Sequence, residues 1–159
     1  CLMIPGAYSP LIMSVQGNRY WKFIFSAVLS GLYVELNEIT MRETGVNKIP
    51  LMTGQTTGGV TITADSYSAT LDPWKVGDGD ASNNANAWAS ISAVPQGLYI
   101  DFGNKVDIRA YSLTARNITS TYRPKDWVLY WSDDGVTYSA ADTRSGESFA
   151  QGETKNYSF

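Results

Sequence analysis

The sequence has 159 residues, is 43% hydrophobic and 13% aromatic, and therefore predicts one globular domain and excludes a disordered chain. Its formal net charge of −3 supplies no basic surface of the kind that nucleic acid requires, so no nucleic-acid partner is expected. The longest apolar stretch, Phe23 to Val34, is shorter than the roughly 18 residues of a membrane-spanning helix, so no membrane insertion is expected.

The counts of cysteine and histidine exclude several kinds of catalytic and metal site. Cys1 is the only cysteine, so an internal disulfide is excluded. The sequence has no histidine, which excludes Ser-His-Asp and Cys-His catalysis and the zinc sites that depend on imidazole. Glycosidase-type catalysis by a pair of carboxylates stays chemically open, but no acid–base constellation is evident and we do not expect an enzyme.

Residues 1–18 differ from the rest of the chain. They contain Pro5 and Pro10, no charged residue and no regular periodicity, and the prolines oppose a regular helix. One interpretation is an extended arm that packs on a neighbouring protein; the other is an N-terminal strand of the same domain. We divide the chain into an N-terminal arm, residues 1–18, and a folded domain, residues 19–159.

The folded domain begins with patterns typical of β-strands. Alternation in residues 33–42 predicts that Val34, Leu36, Ile39 and Met41 face inward, with a slip in the alternation near Asn37. The predicted strands cover residues 20–25, 33–42, 60–64, 98–102, 106–115, 127–131 and 155–159.

Turn residues separate these strands. The pair Gly103-Asn104 is predicted to end the strand 98–102, and Asp133-Asp134-Gly135 predicts a hairpin turn. The polar stretch 65–93 is predicted to be the largest loop region, and long loops in compact domains are usually functional or stiffened by a metal. Many short strands without a helical period predict an all-β sandwich or jelly roll.

One loop carries a pattern that suits a hard cation. Asp78, Asp80 and Ser82 alternate, and Gly79 allows the backbone to curl so that their oxygens converge for Ca²⁺. The loop is not an EF-hand, because its sixth position is Asn83 instead of glycine. Two carboxylates are too few, so a distant acidic residue would have to join them. The alternative is a solvated Asp/Gly turn.

Three segments, in this order, resemble the discoidin-like (coagulation factor 5/8 type C, galactose-binding-like) carbohydrate-binding modules. Residues 74–90 (WKVGDGD…WAS) are similar to the family's A-x-D-G-(D/N)…W-x-S segment, with Gly77 near the usual alanine and extra residues before the tryptophan. Residues 98–103 resemble its W-I-x-V-D-L-G strand, and residues 123–138 resemble its x-P-K-x-W hairpin. The resemblance implies a discoidin-like jelly-roll β-sandwich.

The order of segments departs from the family. Residues 19–42 resemble the family's C-terminal end but stand at the front, which implies a circular permutation. In the family, the glutamate of that segment approaches the metal loop, and its counterpart here is Glu38. The resemblance therefore implies structural Ca²⁺ held by Glu38, Asp78, Asp80 and Ser82 or Asn83. The insertion after Ser82 leaves the family's threonine ligand without a counterpart.

The resemblance also implies that ligands bind the loops at one end of the sandwich. The guanidinium and amide groups of Arg116, Asn117 and Arg123 can bind vicinal sugar hydroxyls, and Tyr122 can stack on a sugar face. Further candidates are Tyr33 and Trp74. The alternative is that the arginines pair with surface acids. Four aromatic residues are predicted to lie in the core instead: Trp21, Trp88, Phe102 and Trp127.

The permuted order, the R-Y-W-K opening and the P-K-D-W hairpin resemble modules of tailed-phage virion proteins. We therefore expect a non-catalytic virion component that contacts host-surface glycans or neighbouring virion proteins, as a homo-oligomer or part of a larger assembly. One alternative is a capsid decoration or tail structural protein that uses the sandwich as scaffold, which the apolar arm favours. Another is a bacterial carbohydrate-binding module, extracellular or on the cell surface.

Overall fold

Two antiparallel sheets packed face to face form the protein in a computed structural model that describes residues 17–159. Strands account for 48% of the structure and helix for 3%, which establishes the all-β class. Residues 1–16 of the predicted arm lie outside the described residues, and Asn18 already belongs to the first strand. No helix in the described range is long and apolar enough to cross a membrane.

The described chain alternates short strands with turns and contains one short 3₁₀ helix. In chain order the elements are β1 Asn18–Val28, β2 Glu35–Glu43, β3 Val46–Asn47, β4 Thr56–Thr57, β5 Val60–Ala64, the 3₁₀ helix Pro73–Gly77, β6 Trp88–Ala89, β7 Gln96–Val106, β8 Ala110–Ala115, β9 Pro124–Ser132, β10 Ser139–Arg144 and β11 Thr154–Ser158.

The six-stranded sheet has the order β10-β9-β1-β7-β5-β4, and the second sheet has the order β11-β8-β2-β3 with β6 paired to β2. Strand β1 lies near the middle of the first sheet because it pairs antiparallel with both β7 and β9. Its sequence explains that position: Trp21, Phe23 and Phe25 are buried, while Lys22 and Ile24 point to the other face.

The core lies between the sheets and contains the aromatic residues that the sequence assigned to it. Trp21, Trp88, Trp127 and Phe102 are at most 4% exposed, and burial of each such side chain contributes on the order of 1.5–3 kcal/mol. The inward-facing residues predicted in the segment 33–42 are also confirmed, each at 0% exposure: Val34, Leu36, Ile39 and Met41.

The predicted slip on β2 is confirmed, because its pairing with β8 shifts register between Leu36 and Glu38. The prediction that a strand ends at Gly103 is wrong. Strand β7 continues to Val106, and the turn-prone Gly103, with a φ of 71°, lies in a bulge opposite β1. Gly103 therefore adopts a turn-like backbone conformation, but it bends a continuous strand instead of ending one.

Other strands also differ from the sequence prediction in their bounds or were not predicted. Strand β8 begins at Ala110 instead of residue 106, because Val106 still pairs with Asn18 at the end of β7. Strand β10 was not predicted, since its residues are polar and small. The predicted turn at Asp133–Gly135 is confirmed as the hairpin between β9 and β10.

The start of β1 and the residue after β11 lie close together. Gly17, Asn18 and Phe159 line the same cleft of about 590 Å³, together with Trp131. The ring centroids of Trp21 and Phe159 are 6.3 Å apart. The start of β1 and the end of β11 are therefore spatial neighbours, although the two strands belong to different sheets.

Candidate functional site

The structure places Glu38 of β2 beside the loop that follows the 3₁₀ helix. Burial, and then the carboxylates of Asp78 and Asp80, raise the pKa of Glu38 to about 8. Burial also raises the pKa of Asp78. Gly79 takes the positive φ of 78° that the predicted curl of the loop requires. The carboxylates that the sequence grouped by resemblance are therefore electrostatic neighbours.

Asp80 is committed to the internal structure of this loop. Its Oδ1 accepts hydrogen bonds from the backbone N–H of Ser82, the Ser82 hydroxyl and the Asn83 N–H, at 3.2, 2.8 and 3.2 Å. Its Oδ2 accepts from the Asn86 amide at 3.2 Å. The hydrogen bond from Ser82 is the main reason that the pKa of Asp80 falls below its usual value.

Asn37 organises the backbone of the same loop from inside the protein. It is 0% exposed, and its Nδ2 donates to the carbonyl oxygens of Asp80, Asn83 and Asn86 at 3.3, 3.1 and 2.9 Å. Its Oδ1 accepts from the N–H of Asn117 at 3.3 Å. An amide NH₂ with only two hydrogens thus satisfies three converging carbonyls, which is a role that a bound cation also performs.

The predicted calcium ligands divide into two groups under this geometry. Glu38 fits a cation, because its Oε2 is buried without a hydrogen-bond partner, and Asp78 lies next to it. Asp80 and Ser82 hydrogen-bond to each other, and the Oδ1 of Asn83 accepts the Ala85 N–H at 3.0 Å. One oxygen of Asp78 also accepts the Asp80 N–H at 2.9 Å. Within residues 17–159 no three acidic or cysteine side chains are grouped closely enough to form a metal site by themselves. A cation would thus be held first by Glu38 and Asp78, and it would need Asp80 as a third carboxylate.

Arg116, a predicted ligand-binding residue, is held inside the fold. Its guanidinium donates to Glu35 Oε1 at 2.9 Å and to the carbonyl of Asn84 at 3.0 Å. The side chains of Arg116 and Glu35 are only 15% and 9% exposed, and Ser120 occupies the second oxygen of Glu35. Arg116 therefore connects β2, the end of β8 and the neighbouring loops through an ion pair, as the alternative required, but its partner is a buried acid and not a surface one.

The other polar candidates of this loop also have internal partners. Arg123 donates to the carbonyls of Phe149 and Ile118, each at 3.2 Å. The Oδ1 of Asn117 accepts from the Gln151 amide at 3.1 Å. These contacts fix the loop between β8 and β9, and they leave few free donors for a ligand.

Tyr33 and Tyr122 come together as a pair of half-buried rings. Their centroids are 5.5 Å apart, and the rings are perpendicular to each other. This edge-to-face contact is a favourable packing arrangement of aromatic side chains. The structure therefore brings these two candidates together, but it places Trp74 elsewhere.

Trp74 lies in a separate pocket of about 240 Å³ between the 3₁₀ helix and β5. Asp72 precedes the helix, and its carboxylate makes no capping hydrogen bond. Tyr67 is 46% exposed and adds a second ring. The polar and aromatic groups that line the pocket come from Gln55, Thr63, Tyr67, Asp72 and Trp74. Of the six predicted ligand-binding residues, Trp74 is thus the one in a concave site with free polar groups.

The sequence pointed to Trp74 but not to the residues that line the pocket with it. Tyr67, Asp72 and Gln55 carry no spacing signal, because the loop 65–72 and the turn before β4 meet only in the folded protein. Asn37 was also missed as an organising residue. A signal for it existed, since a polar residue stood where the alternation of β2 slipped.

No protein-family model matches the chain, and no curated protein or solved structure matches it at a significant level. The architecture is that of an all-β sandwich compatible with a jelly roll. Any finer conclusion about its function has to come from the chemistry of these sites.

Proposed function

We propose that this chain is a non-catalytic binding module whose ligand is a glycan held in the Trp74 pocket. The observation that carries the proposal is the pocket itself, in which the rings of Trp74 and Tyr67 stand beside the polar groups of Gln55, Thr63 and Asp72. An aromatic ring can cover the apolar face of a sugar while carboxylate, amide and hydroxyl groups bind its hydroxyls. The volume of about 240 Å³ suits one sugar unit.

Catalysis is not part of the proposal. Glycoside hydrolysis needs two carboxyl groups on either side of the scissile bond. Among the described residues that line the pocket, Asp72 is the one carboxylate. The pocket thus offers groups that bind a sugar but no acid–base pair that cleaves one.

The finer identity we propose is a circularly permuted discoidin-like module of a tailed-phage virion. Its support is the order of the resembling segments, with residues 19–42 at the front, and the contact between β1 and the residue after β11, since the ring centroids of Trp21 and Phe159 are 6.3 Å apart. In this setting the partners are host-surface glycans or neighbouring virion proteins, and the location is the virion.

A second candidate function is that of a capsid decoration or tail structural protein. The internal bonds of Arg116 and Arg123 favour it, because a loop whose guanidinium groups serve the fold is expected of a scaffold. In that case the protein would bind no sugar.

Binding of glycans by the purified chain separates these functions. A glycan array identifies a ligand, and calorimetric titration then compares the wild type with Trp74→Ala, Asp72→Asn and Tyr33→Ala. We expect the Trp74 and Asp72 variants to lose at least tenfold in affinity, which corresponds to about 1.4 kcal/mol. Because Trp74 also packs against the core, Trp74→Ala removes core packing as well as a ligand contact. Asp72→Asn tests the same pocket without that loss of packing.

The Tyr33 variant is the matched control, because Tyr33 lies with Tyr122 outside the pocket. Unchanged affinity of this variant supports the pocket as the site. If Tyr33→Ala loses affinity and Trp74→Ala does not, the ligand binds the loop end and our assignment of the pocket is wrong. A wild-type chain that binds no glycan on the array would favour the scaffold function.

We also propose a structural Ca²⁺ site at Glu38 and Asp78, with Asp80, whose charge also acts on Glu38, as the third carboxylate. A cation there would compensate the buried, unpartnered oxygen of Glu38 and the charge of its neighbour. We expect calcium to raise the melting temperature at pH 8, and Glu38→Gln to remove that response, because a ligand that binds only the folded state stabilises it. Identical melting curves in calcium and in chelator would refute the site.

A further inference from the structure

A row of side chains crosses the outer face of the six-stranded sheet. Lys22 on β1 is paired with Tyr130 on β9 and with Tyr99 on β7, and Tyr99 is paired with Thr63 on β5. Paired residues point to the same face of a sheet, so these four side chains lie side by side. Adjacent strands are about 4.8 Å apart, and the row therefore extends over about 14 Å.

Tyr99 forms a platform in this row. Its OH donates to Asp65 at 2.8 Å, and the other oxygen of Asp65 accepts the Gly97 N–H at 2.6 Å. A Cβ atom at Gly97 would lie only 2.6 Å from the Tyr99 oxygen and 2.7 Å from its Cζ. The end of the ring therefore lies over Gly97, two residues away along the strand, so the ring lies against the sheet instead of standing up from it.

Asp65 holds the Tyr99 hydroxyl in place. Burial and the bond to Asp65 raise the pKa of Tyr99 to about 12, so the phenol stays protonated and keeps donating to Asp65. The side chain is half-buried, and a ring that lies against a sheet turns its opposite face away from the backbone, which is the arrangement that stacking on a sugar requires.

Lys22 lies next to this platform and is held by aromatic rings. Its Nζ is 3.7 Å from the ring centroid of Tyr138 and 5.4 Å from that of Tyr130. No carboxylate lies within ion-pair distance of Lys22 in residues 17–159, while the neighbouring Asp101 is paired with Arg19 at 2.7 Å. The rings therefore hold the Lys22 ammonium group in place as a hydrogen-bond donor for hydroxyl groups. The same face carries the carboxylates of Asp65 and Asp101, so it is not suited to an anionic ligand.

Thr63 connects the row to the Trp74 pocket. It is paired with Tyr99 in the sheet, and it also lines the pocket. The row Tyr130, Lys22, Tyr99, Thr63 thus leads across the strands into the concave site. An extended ligand with one end in the pocket would lie along these side chains.

We propose that the pocket and this row form a single extended site for a neutral oligosaccharide chain, with one terminal unit in the pocket and further units on the sheet face. This proposal rests on the glycan-binding function proposed above. It adds that the ligand is a chain, and that Tyr99 and Tyr130 bind its outer units.

The test uses neutral oligomers from monosaccharide to hexasaccharide in three homologous series: α-1,4-linked glucose, β-1,4-linked glucose and β-1,4-linked N-acetylglucosamine. Titration measures the affinity of the wild type, Tyr99→Ala, Tyr130→Ala, Trp74→Ala and the control Tyr33→Ala. We expect the wild-type affinity in one series to rise at least tenfold with length. Tyr99→Ala and Tyr130→Ala should remove that gain and leave the shortest bound oligomer unaffected, whereas Trp74→Ala weakens every length.

The outcomes separate this proposal from the function on which it rests. Affinity that depends on Trp74 but not on length would overturn the extended site and leave the pocket as a glycan site. If Tyr99→Ala weakens the shortest oligomer as much as the longest, the extended site is also wrong. No binding in any series, together with an empty glycan array, overturns both proposals. Dimers that depend on Tyr99 in sedimentation, without length dependence, would assign the sheet face to a second copy of the chain.

Discussion

Among single residues, Arg116 stabilises the fold through a buried ion pair with Glu35. It neutralises Glu35, whose side chain is 9% exposed, and removal of its guanidinium leaves that carboxylate buried without a cation. We expect Arg116→Ala to lower the free energy of unfolding by about 2–4 kcal/mol in urea denaturation. The control Arg109→Ala breaks an ion pair in which Arg109 is 65% exposed, and it should cost less than about 1 kcal/mol. Equal losses would show that the burial of the Glu35 pair has no energetic importance.

Glu38 makes the stability of the chain depend on pH. Its pKa is about 8 in the folded state and 4.5 in a free side chain, so the folded state holds a proton that the unfolded state releases between these values. The contribution of Glu38 to stability is therefore full below about pH 4.5 and is lost as the pH rises towards 8. Without calcium, we expect thermal melts to show this fall, and Glu38→Gln to flatten it.

The size of that effect follows from the partial exposure of Glu38. At pH 8, Glu38→Gln should stabilise the chain by about 1–2 kcal/mol, a value reduced from the full pKa shift because solvent screens the group. Asp133→Asn removes an exposed carboxylate that pairs with Lys105, and it is the control that should leave the pH profile unchanged. A profile that is equally steep in Glu38→Gln would assign the pH dependence to another group.

For single residues, the sequence predicted a candidate site where the spacing of carboxylates or the family resemblance gave a signal. The alternation of Asp78 and Asp80 and the likeness around Glu38 pointed to three carboxylates, and in the fold the charges of Asp78 and Asp80 act on Glu38 and raise its pKa. What the sequence could not show is the competition for their oxygens. Ser82 and Asn86 already donate to Asp80, and Asn37 already donates to the loop carbonyls. The hydrogen bonds of Asn37 depend on the tertiary position of β2, which no local pattern encodes.

At the scale of the element, β7 depends on Gly97 to position Tyr99. An added Cβ would meet the far end of the Tyr99 side chain, so we expect Gly97→Ala to lift the ring and break its bond to Asp65. The cost should be about 1 kcal/mol of unfolding free energy, the net value of one hydrogen bond. Gly54→Ala is the matched control, because its Cβ would meet no atom within 4 Å and the substitution should be neutral or slightly stabilising.

Binding data add a second readout for Gly97. The variant should lose the gain in affinity with chain length, as Tyr99→Ala does, and keep binding the shortest oligomer. A Gly97→Ala protein that is as stable as Gly54→Ala and keeps the full gain would show that the Tyr99 ring does not depend on Gly97.

Strands were predictable from the sequence wherever alternation was strong. In β1 and β2, aromatic and aliphatic residues at every second position fixed both the strand and its inner face. The end of β7 and the start of β8 were not predictable, because the glycine at position 103 can end a strand or bend one. Strand β10 has no apolar period, since as an edge strand it is held by backbone pairing with β9.

At the scale of the whole molecule, one buried hydrogen-bond chain ties the two sheets together. Trp127 of β9 donates to the Tyr111 oxygen of β8 at 2.9 Å, and Tyr111 donates to Asp142 of β10 at 2.8 Å. Tyr111→Phe keeps the ring but leaves the Trp127 N–H and the Asp142 oxygen without this partner. We expect a loss of about 1–3 kcal/mol in unfolding free energy.

The control is Tyr157→Phe. The Tyr157 hydroxyl donates to Glu147 at 3.1 Å, at a partly exposed site, and loss of this bond should cost about 0.5–1.5 kcal/mol. If both variants lose the same amount, the connection between the sheets contributes no more than an ordinary side-chain bond.

The central position of β1 determines how the chain must fold. Trp21 pairs with Ile100 and Trp131, and these separations of roughly 80 and 110 residues give the protein the high contact order that makes β-sandwiches slow to fold. During synthesis, β1 therefore waits on the order of ten seconds for its partner strands, with its buried aromatic face open to solvent. Exposed aromatic side chains promote aggregation during that interval. We therefore expect the folded fraction to rise when a chaperone shields Trp21, Phe23 and Phe25, or when refolding takes place at low protein concentration.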